Sequence, residues 1–217
     1  MSASRPRAFV WGASGHAKVV ADAAHGASEL EVVGFIDERR PERRGETLLG
    51  LPILGGAEAL EGLRASGVTR VLLGVGDNDA RVRILLRARE LGFTAPPVIH
   101  PCSVVARDVV VGEGTVVLAG AIVNPGAKIG AAVILNTACS VDHDCELGDG
   151  VHLSPGARLA GAVRVGPLSW IGIGSSVIQC VSVGARTWVG AGSVVVRNLP
   201  DDCVAYGSPA RPQRARH

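Results

Sequence analysis

From Ile99 to Val195 every sixth residue is aliphatic, with no insertion to break the count. The series runs Ile99, Val105, Val111, Val117, Val123, Ile129, Leu135, Val141, Leu147, Leu153, Leu159, Val165, Ile171, Val177, Val183, Val189 and Val195. Four places after each comes a small or apolar residue, as at Thr115, Ala121, Cys139, Ala157 and Ser175. Glycine recurs three places on, as at Gly114, Gly120, Gly126, Gly150 and Gly156. A period of six suits neither a helix nor the two-residue alternation of a free strand. It suits a solenoid in which each hexad makes one short flat side and a corner, with glycine supplying the unusual φ that corners need. Stacked aliphatics then form a narrow core. The pattern predicts an unbroken β-helix over residues 99–200, of about five to six coils.

Residues 6–95 follow a different pattern. RAFVWGASG reads as a strand broken at glycine, HAKVVADAAHGA as a helix, and LEVVGFIDE as a second strand ending in acid. Residues 57–66 read as helical and TRVLLGVG as a third strand. NDARVRILLRARELG follows as an amphipathic helix, with Val82, Leu85, Leu86 and Arg89 at helical spacing. Strands alternating with helices predict a small parallel sheet. Ala95-Pro96-Pro97 punctuates the chain, which divides it into a domain over 1–97 and a second over 98–217.

Composition agrees with this division and narrows the function. Only 3% of residues are aromatic and 29 are glycine, as a narrow aliphatic core requires. A net charge of +2 gives no field that calls for nucleic acid. No apolar run approaches the roughly 18 residues of a membrane span, and the opening MSASRPRAFVWGASGH carries no long apolar leader. Five cysteines without CxxC spacing read as free thiols of a reducing cytoplasm. The histidines are scattered, and no metal site is predicted.

Charge is concentrated in one stretch, CSVDHDCELGDGVH at 139–152, where His143 and His152 stand among Asp142, Asp144, Glu146 and Asp149. At a corner both His143 and Asp144 can reach outward. A histidine titrating near neutrality suits a base, and an adjacent carboxylate fixes its tautomer. Asp144 is the first candidate for that carboxylate and Asp142 the alternative. A solvated polar edge is the plain reading of the same residues. Near the start, Gly12-Ala13-Ser14-Gly15-His16 joins a strand to a helix, a place where backbone N–H groups hold phosphate. It lacks the full GxGxxG fingerprint, so a dinucleotide is not implied. Cys139 and Cys145 hold the small-residue place of the repeat, which marks them as packing residues. The run from Arg39 to Arg44 reads as a solvated loop, with phosphate contact the alternative.

The repeat [LIV]-[G/A/N/D]-x-x-[small]-x resembles the hexapeptide-repeat acyltransferases. WGASGHAKVVAD, NTACSVDHDC and VAYGSPAR, in that order, resemble the sialic-acid/bacillosamine acetyltransferase group within them. The resemblance implies a Rossmann-like α/β domain followed by a left-handed parallel β-helix, working as a cytoplasmic homotrimer with acetyl-CoA. It implies N-acetylation of a nucleotide-activated 4-amino-4,6-dideoxy sugar by direct attack. It assigns His143 as base with Asp144 behind it, and His152, Gly161, Ile173, Ala191 and Arg211 to acetyl-CoA. It assigns Gly12, Ser14, Gly15, His16, Asp37, Glu38, Gly76 and Asn136 to the nucleotide sugar. Ala191 stands where glycine is frequent in the group, and Arg211 reads equally as a solvated tail charge. The alternatives are O-acetylation of sialic acid or a related sugar, and a non-catalytic sugar-nucleotide-binding protein.

Overall fold

A computed structural model describes residues 5–27 and 30–216, which form two compact units, Met1–Pro101 and Cys102–His217. Residues 1–4, part of the stretch read for a leader, lie outside the described residues.

In the first unit a five-stranded sheet is built from β1 (Arg7–Trp11), β2 (Glu31–Ile36), β3 (Thr47–Leu48), β4 (Leu51–Gly55) and β5 (Arg70–Leu73), in the order β3-β4-β2-β1-β5. All pairs are parallel except the β3–β4 hairpin. The helices are α1 (Gly15–Gly26), α2 (Ala59–Ala65) and α3 (Asn78–Glu90). From β1 the chain goes to β2 on one side and later to β5 on the other. This reversal opens a crevice at the strands' carboxyl ends. Close packing there depends on glycine. Gly12 has φ +126°, and a Cβ on it would lie 2.6 Å from the Gly74 carbonyl oxygen.

Two features differ from the sequence reading. The buried stripe of α3 is Asn78, Arg81, Leu85 and Ala88, while Leu86 is exposed. The polar Asn78 and Arg81 disguised this face, because Arg81 is wholly buried and satisfied by the carbonyls of Val75 and Gly76 and by Asn78 Oδ1. The β3–β4 hairpin went unread because its turn uses Leu49 and Gly50, both at positive φ, instead of an Asn-Gly or Asp-Gly signal.

The second unit is a left-handed parallel β-helix. Each two-residue strand pairs with the strand 18 residues on, so three inward columns run its length. One is Val105–Val123–Val141–Leu159–Val177–Val195. The second is Val111–Ile129–Leu147–Val165–Val183 and the third Val117–Leu135–Leu153–Ile171–Val189. From Val117 onward these aliphatics are buried, whereas Val105 and Val111 at the open end are only partly so. The repeat ends when Val189 pairs with Ala205, two residues short of the full coil, and the C-terminal hairpin Cys203–Gly207 and Ala210–Ala215 follows.

The small residues of the repeat do more than save space. Ser169 Oγ donates to the Gly184 carbonyl at 2.6 Å and accepts from Thr187 N–H at 2.9 Å. Thr115 and Ser175 tie adjacent coils in the same way. These buried hydroxyls satisfy corner backbone groups that have no ladder partner. Ser169→Ala leaves Thr187 N–H and the Gly184 carbonyl short of a partner, and is expected to cost about 1–3 kcal/mol in urea denaturation.

Candidate active site

The crevice of the first unit holds a cavity of about 760 Å³ lined by Gly12, Ser14, Asp37, Glu38 and Gly76, with Ala80, Arg83, Ile84 and Arg87 on the α3 side. Residues far apart in sequence are thus brought together. Ser14 stands at the N-terminus of α1 and its hydroxyl makes no capping bond, so amides and hydroxyl are available to an anion. Gly15 and His16 do not line this cavity. Burial, aided by the charge of Arg81, pushes the His16 imidazole down to about 4 and keeps it neutral. Its Nε2 is buried with no hydrogen-bond partner.

The two acids at the end of β2 differ in state. Asp37 Oδ1 accepts from Arg40 N–H at 3.1 Å and Oδ2 from Arg43 Nη1 at 2.8 Å. Arg43 Nη1 also donates to the Ala13 carbonyl at 3.1 Å. Asp37 and Arg43 therefore brace the acidic strand end against the glycine turn. This corrects the reading of residues 39–44 as a wholly solvated loop: Pro41–Arg43 is a 3₁₀ turn and the Arg43 side chain is only 16% exposed. Glu38 lines the cavity and accepts from Arg87 Nη1 at 2.6 Å, and the Arg87 guanidinium lies 5.5 Å from the Trp11 ring centroid.

On the β-helix, His143 and Asp144 occupy the corner between strands Ser140–Val141 and Glu146–Leu147. Asp144 takes the left-handed place of the corner with φ +59°. That backbone turns its carboxylate back onto the preceding ring, where His143 Nδ1 donates to Oδ2 at 2.8 Å. Asp144 thus reaches the imidazole. Asp142 serves the backbone instead, its Oδ1 accepting from Asn124 Nδ2 and from His143 N–H, both at 2.8 Å. Its pKa is lowered, first by the Asn124 bond. The His143 pKa is raised, first by the Asp144 hydrogen bond and then by the charge of Asp142. Both members of the pair are open, with 61% and 69% of their side chains exposed.

The remaining charge of the 139–152 stretch is structural. Glu146 pairs with Lys128 at 2.9 Å and Arg164 at 3.4 Å on a flat side, and Asp149 accepts from Ala131 N–H at 2.7 Å. Cys139 and Cys145 are buried, and burial pushes the Cys139 thiol up to about 12. Neither is a nucleophile in that state.

The residues assigned to acetyl-CoA are spread over several places on the second unit. Gly161 lies one coil from His143 on the same corner. His152 points from another side, buried, with its Nε2 3.2 Å from Asn136 Nδ2 and its ring stacked 4.8 Å from Trp170. Ile173 and Ala191 stand exposed at the corner after that side. Arg211 is in the terminal hairpin. Asn124, Trp170 and Arg43 were missed by sequence reasoning. Asn124 carried a signal, since it sits 18 residues before Asp142 in an 18-residue coil.

A family model of the PglD N-terminal domain matches residues 7–88. Comparison with curated protein sequences returns no match. Among solved structures, a histidine-to-asparagine variant of perosamine N-acetyltransferase from Caulobacter crescentus, in complex with CoA and GDP-perosamine, is 42% identical with a TM-score of 0.91. The match covers 95% of this chain and 96% of that one. The acetyltransferase domain of PglB from Neisseria gonorrhoeae FA1090, in complex with acetyl coenzyme A, is 38% identical with a TM-score of 0.90, covering 97% and 100%. WeeI from Acinetobacter baumannii AYE is 25% identical with a TM-score of 0.82, covering 95% and 99%. Fold and corner together define a hexapeptide-repeat acyltransferase. Within that class the chain belongs to the nucleotide-sugar acetyltransferase family.

Asp144→Asn removes the charge behind the ring. The His143 pKa should fall toward its ordinary 6.5, read by NMR titration of the imidazole.

Proposed function

We propose that the protein transfers the acetyl group of acetyl-CoA to the amine of a nucleotide-activated 4-amino-4,6-dideoxy sugar, with His143 as general base. The observation that carries this reading is the His143–Asp144 contact. Because Nδ1 donates to the carboxylate, the Nε2 lone pair is left to accept a proton. The amine nitrogen attacks the thioester carbonyl and a C–N bond forms. Nε2 takes the proton that the nitrogen sheds. The C–S bond then breaks, and CoA leaves as the thiol with that proton. Asp144 stabilises the imidazolium in between. The inert cysteines favour this direct route over an acyl-enzyme.

The first unit is the reader of the nucleotide sugar, with Gly12, Ser14 and Gly76 toward the phosphates and Glu38, braced by its neighbour Asp37, toward the nucleoside. The complex of the Caulobacter relative with GDP-perosamine puts a GDP-linked amino sugar first among candidates. His152, Ile173 and Ala191 serve acetyl-CoA on a different corner from His143. The reading includes a homotrimer, in which a second copy can bring that corner to the first copy's His143. No helix among the described residues is long and apolar enough to cross a membrane, and a cytoplasmic enzyme fits substrates of this kind.

A thiol-release assay with acetyl-CoA against UDP-, GDP- and CMP-linked amino sugars and free sialic acid tests this. Turnover confined to sialic acid would transfer the reading to O-acetylation, and no turnover on any acceptor would leave a binding protein. His143→Ala should lower kcat by roughly 10²- to 10⁴-fold with little change in KM for acetyl-CoA. His152→Ala should instead raise that KM. The wild-type rate should rise with pH through the raised His143 pKa, because only the neutral ring accepts a proton, and Asp144→Asn should shift this limb to lower pH. Near-normal kcat in His143→Ala across this range sinks the assignment. Light scattering should give a trimer mass, and an active monomer would remove the shared site.

A further inference from the structure

The corner that carries His143 recurs in every coil. Its equivalents one coil away on either side are Pro125 and Gly161, and the next beyond Gly161 is Gln179. Pro125, His143 and Gln179 show that the backbone here accepts a side chain. Gly161 has no positive φ that would require glycine. It is nevertheless buried. A Cβ on it would stand 2.6 Å from both Cε1 and Nε2 of His143 and 3.3 Å from Cδ2. No real Cβ sits so close, and the imidazole would have to move. Gly126, one coil from Asp144 on the other side, is a different case. Its Cβ would run into Asp144 Oδ1, but its φ of +76° already calls for glycine.

We propose that Gly161 is a positioning residue for His143, and that its missing side chain is the seat on which the imidazole lies. The seat fixes the ring edge that bears Nε2, while Asp144 fixes the Nδ1 edge. Asp142, held by Asn124, fixes the backbone between them. Three contacts from three coils thus determine where the proton acceptor stands. The catalytic half of this proposal rests on His143 being the base. Its structural half does not, and it goes beyond the assignment of Gly161 to acetyl-CoA.

The experiment is a double-mutant cycle with Gly161→Ala made in the wild-type chain and in His143→Ala. Three quantities are read: steady-state constants, the imidazole titration of His143 by NMR, and Tm. In the wild-type chain the added methyl should push the ring off Asp144. The His143 pKa should drop and the acidic limb of the rate profile should move to lower pH. A misplaced base should lower kcat by roughly 10- to 100-fold, with KM for acetyl-CoA changing less than about twofold. In His143→Ala the same methyl meets no ring, so the losses of kcat and of Tm that it causes in the wild-type chain should be clearly smaller there. A raised KM with unchanged kcat and titration would make Gly161 a cofactor contact and overturn the proposal. Equal losses in both backgrounds would also overturn it, because the effect would not pass through His143. If His143→Ala proves active, the general-base reading fails while titration and Tm still decide whether Gly161 seats the ring.

Discussion

The vertical stacking of one aliphatic residue per hexad governs the β-helix. Each fully buried Val, Leu or Ile contributes about 1.5–3 kcal/mol, and it does so only if every coil has the same length. One inserted residue would turn the following side chains to the wrong face. The strict count from Val105 to Val195 is therefore an energetic requirement. Its consequence for chemistry is that corner residues are also held in columns. Residues 18 apart become neighbours as fixed as residues four apart on a helix. The surroundings of His143 are accordingly supplied by Asn124 and Gly126 on one side and Gly161 on the other.

The corner's backbone explains why a His–Asp pair forms between adjacent residues, which in a flat strand would point to opposite faces. The third place after the inward aliphatic takes left-handed φ whether it holds Gly120, Ala138, Leu168 or Arg186. The geometry is imposed by the coil, and asparagine and aspartate tolerate it better than most residues. Asp144 is at home there. The turn that lets the chain change sides is the same turn that folds its carboxylate onto the His143 ring. A charge cluster in a charge-poor repeat is thus compatible with the fold, because corners face solvent while the stacked columns face inward.

How much of this was legible follows from the kind of signal each feature leaves. The β-helix announced itself through a period that no other structure uses. The His143–Asp144 pair was legible because a polar pair stands at a corner of an otherwise charge-poor repeat. The division of labour between Asp142 and Asp144 was not, since it depends on a φ value and on Asn124 a coil away. In the first unit, alternating strands and helices gave the sheet. Arg81 was passed over and Arg43 misjudged because a charged side chain reads as solvated in any pattern based on polarity. Their burial rests on carbonyls and a carboxylate from elsewhere in the fold. The β3–β4 hairpin was hidden by Leu49, a residue that turn chemistry does not favour at positive φ.

The exposure of His143 bears on the proposed trimer. In a single chain the His143 ring is more than half exposed, and its attraction to Asp144 competes with water. Charges screened by solvent interact weakly, and the same pair in a drier cleft interacts far more strongly. A base that is to take a proton from an amine, and not pass the acetyl group to water, needs a second wall. The chain carries apolar material for such a wall at Ile173, which is 61% exposed. It lies on a corner that a convex prism cannot fold onto its own His143. In the proposed trimer a neighbouring prism set side by side with the first supplies that wall. On the proposed reading, the rigidity that holds His143 in register also leaves the rest of the active site to another copy.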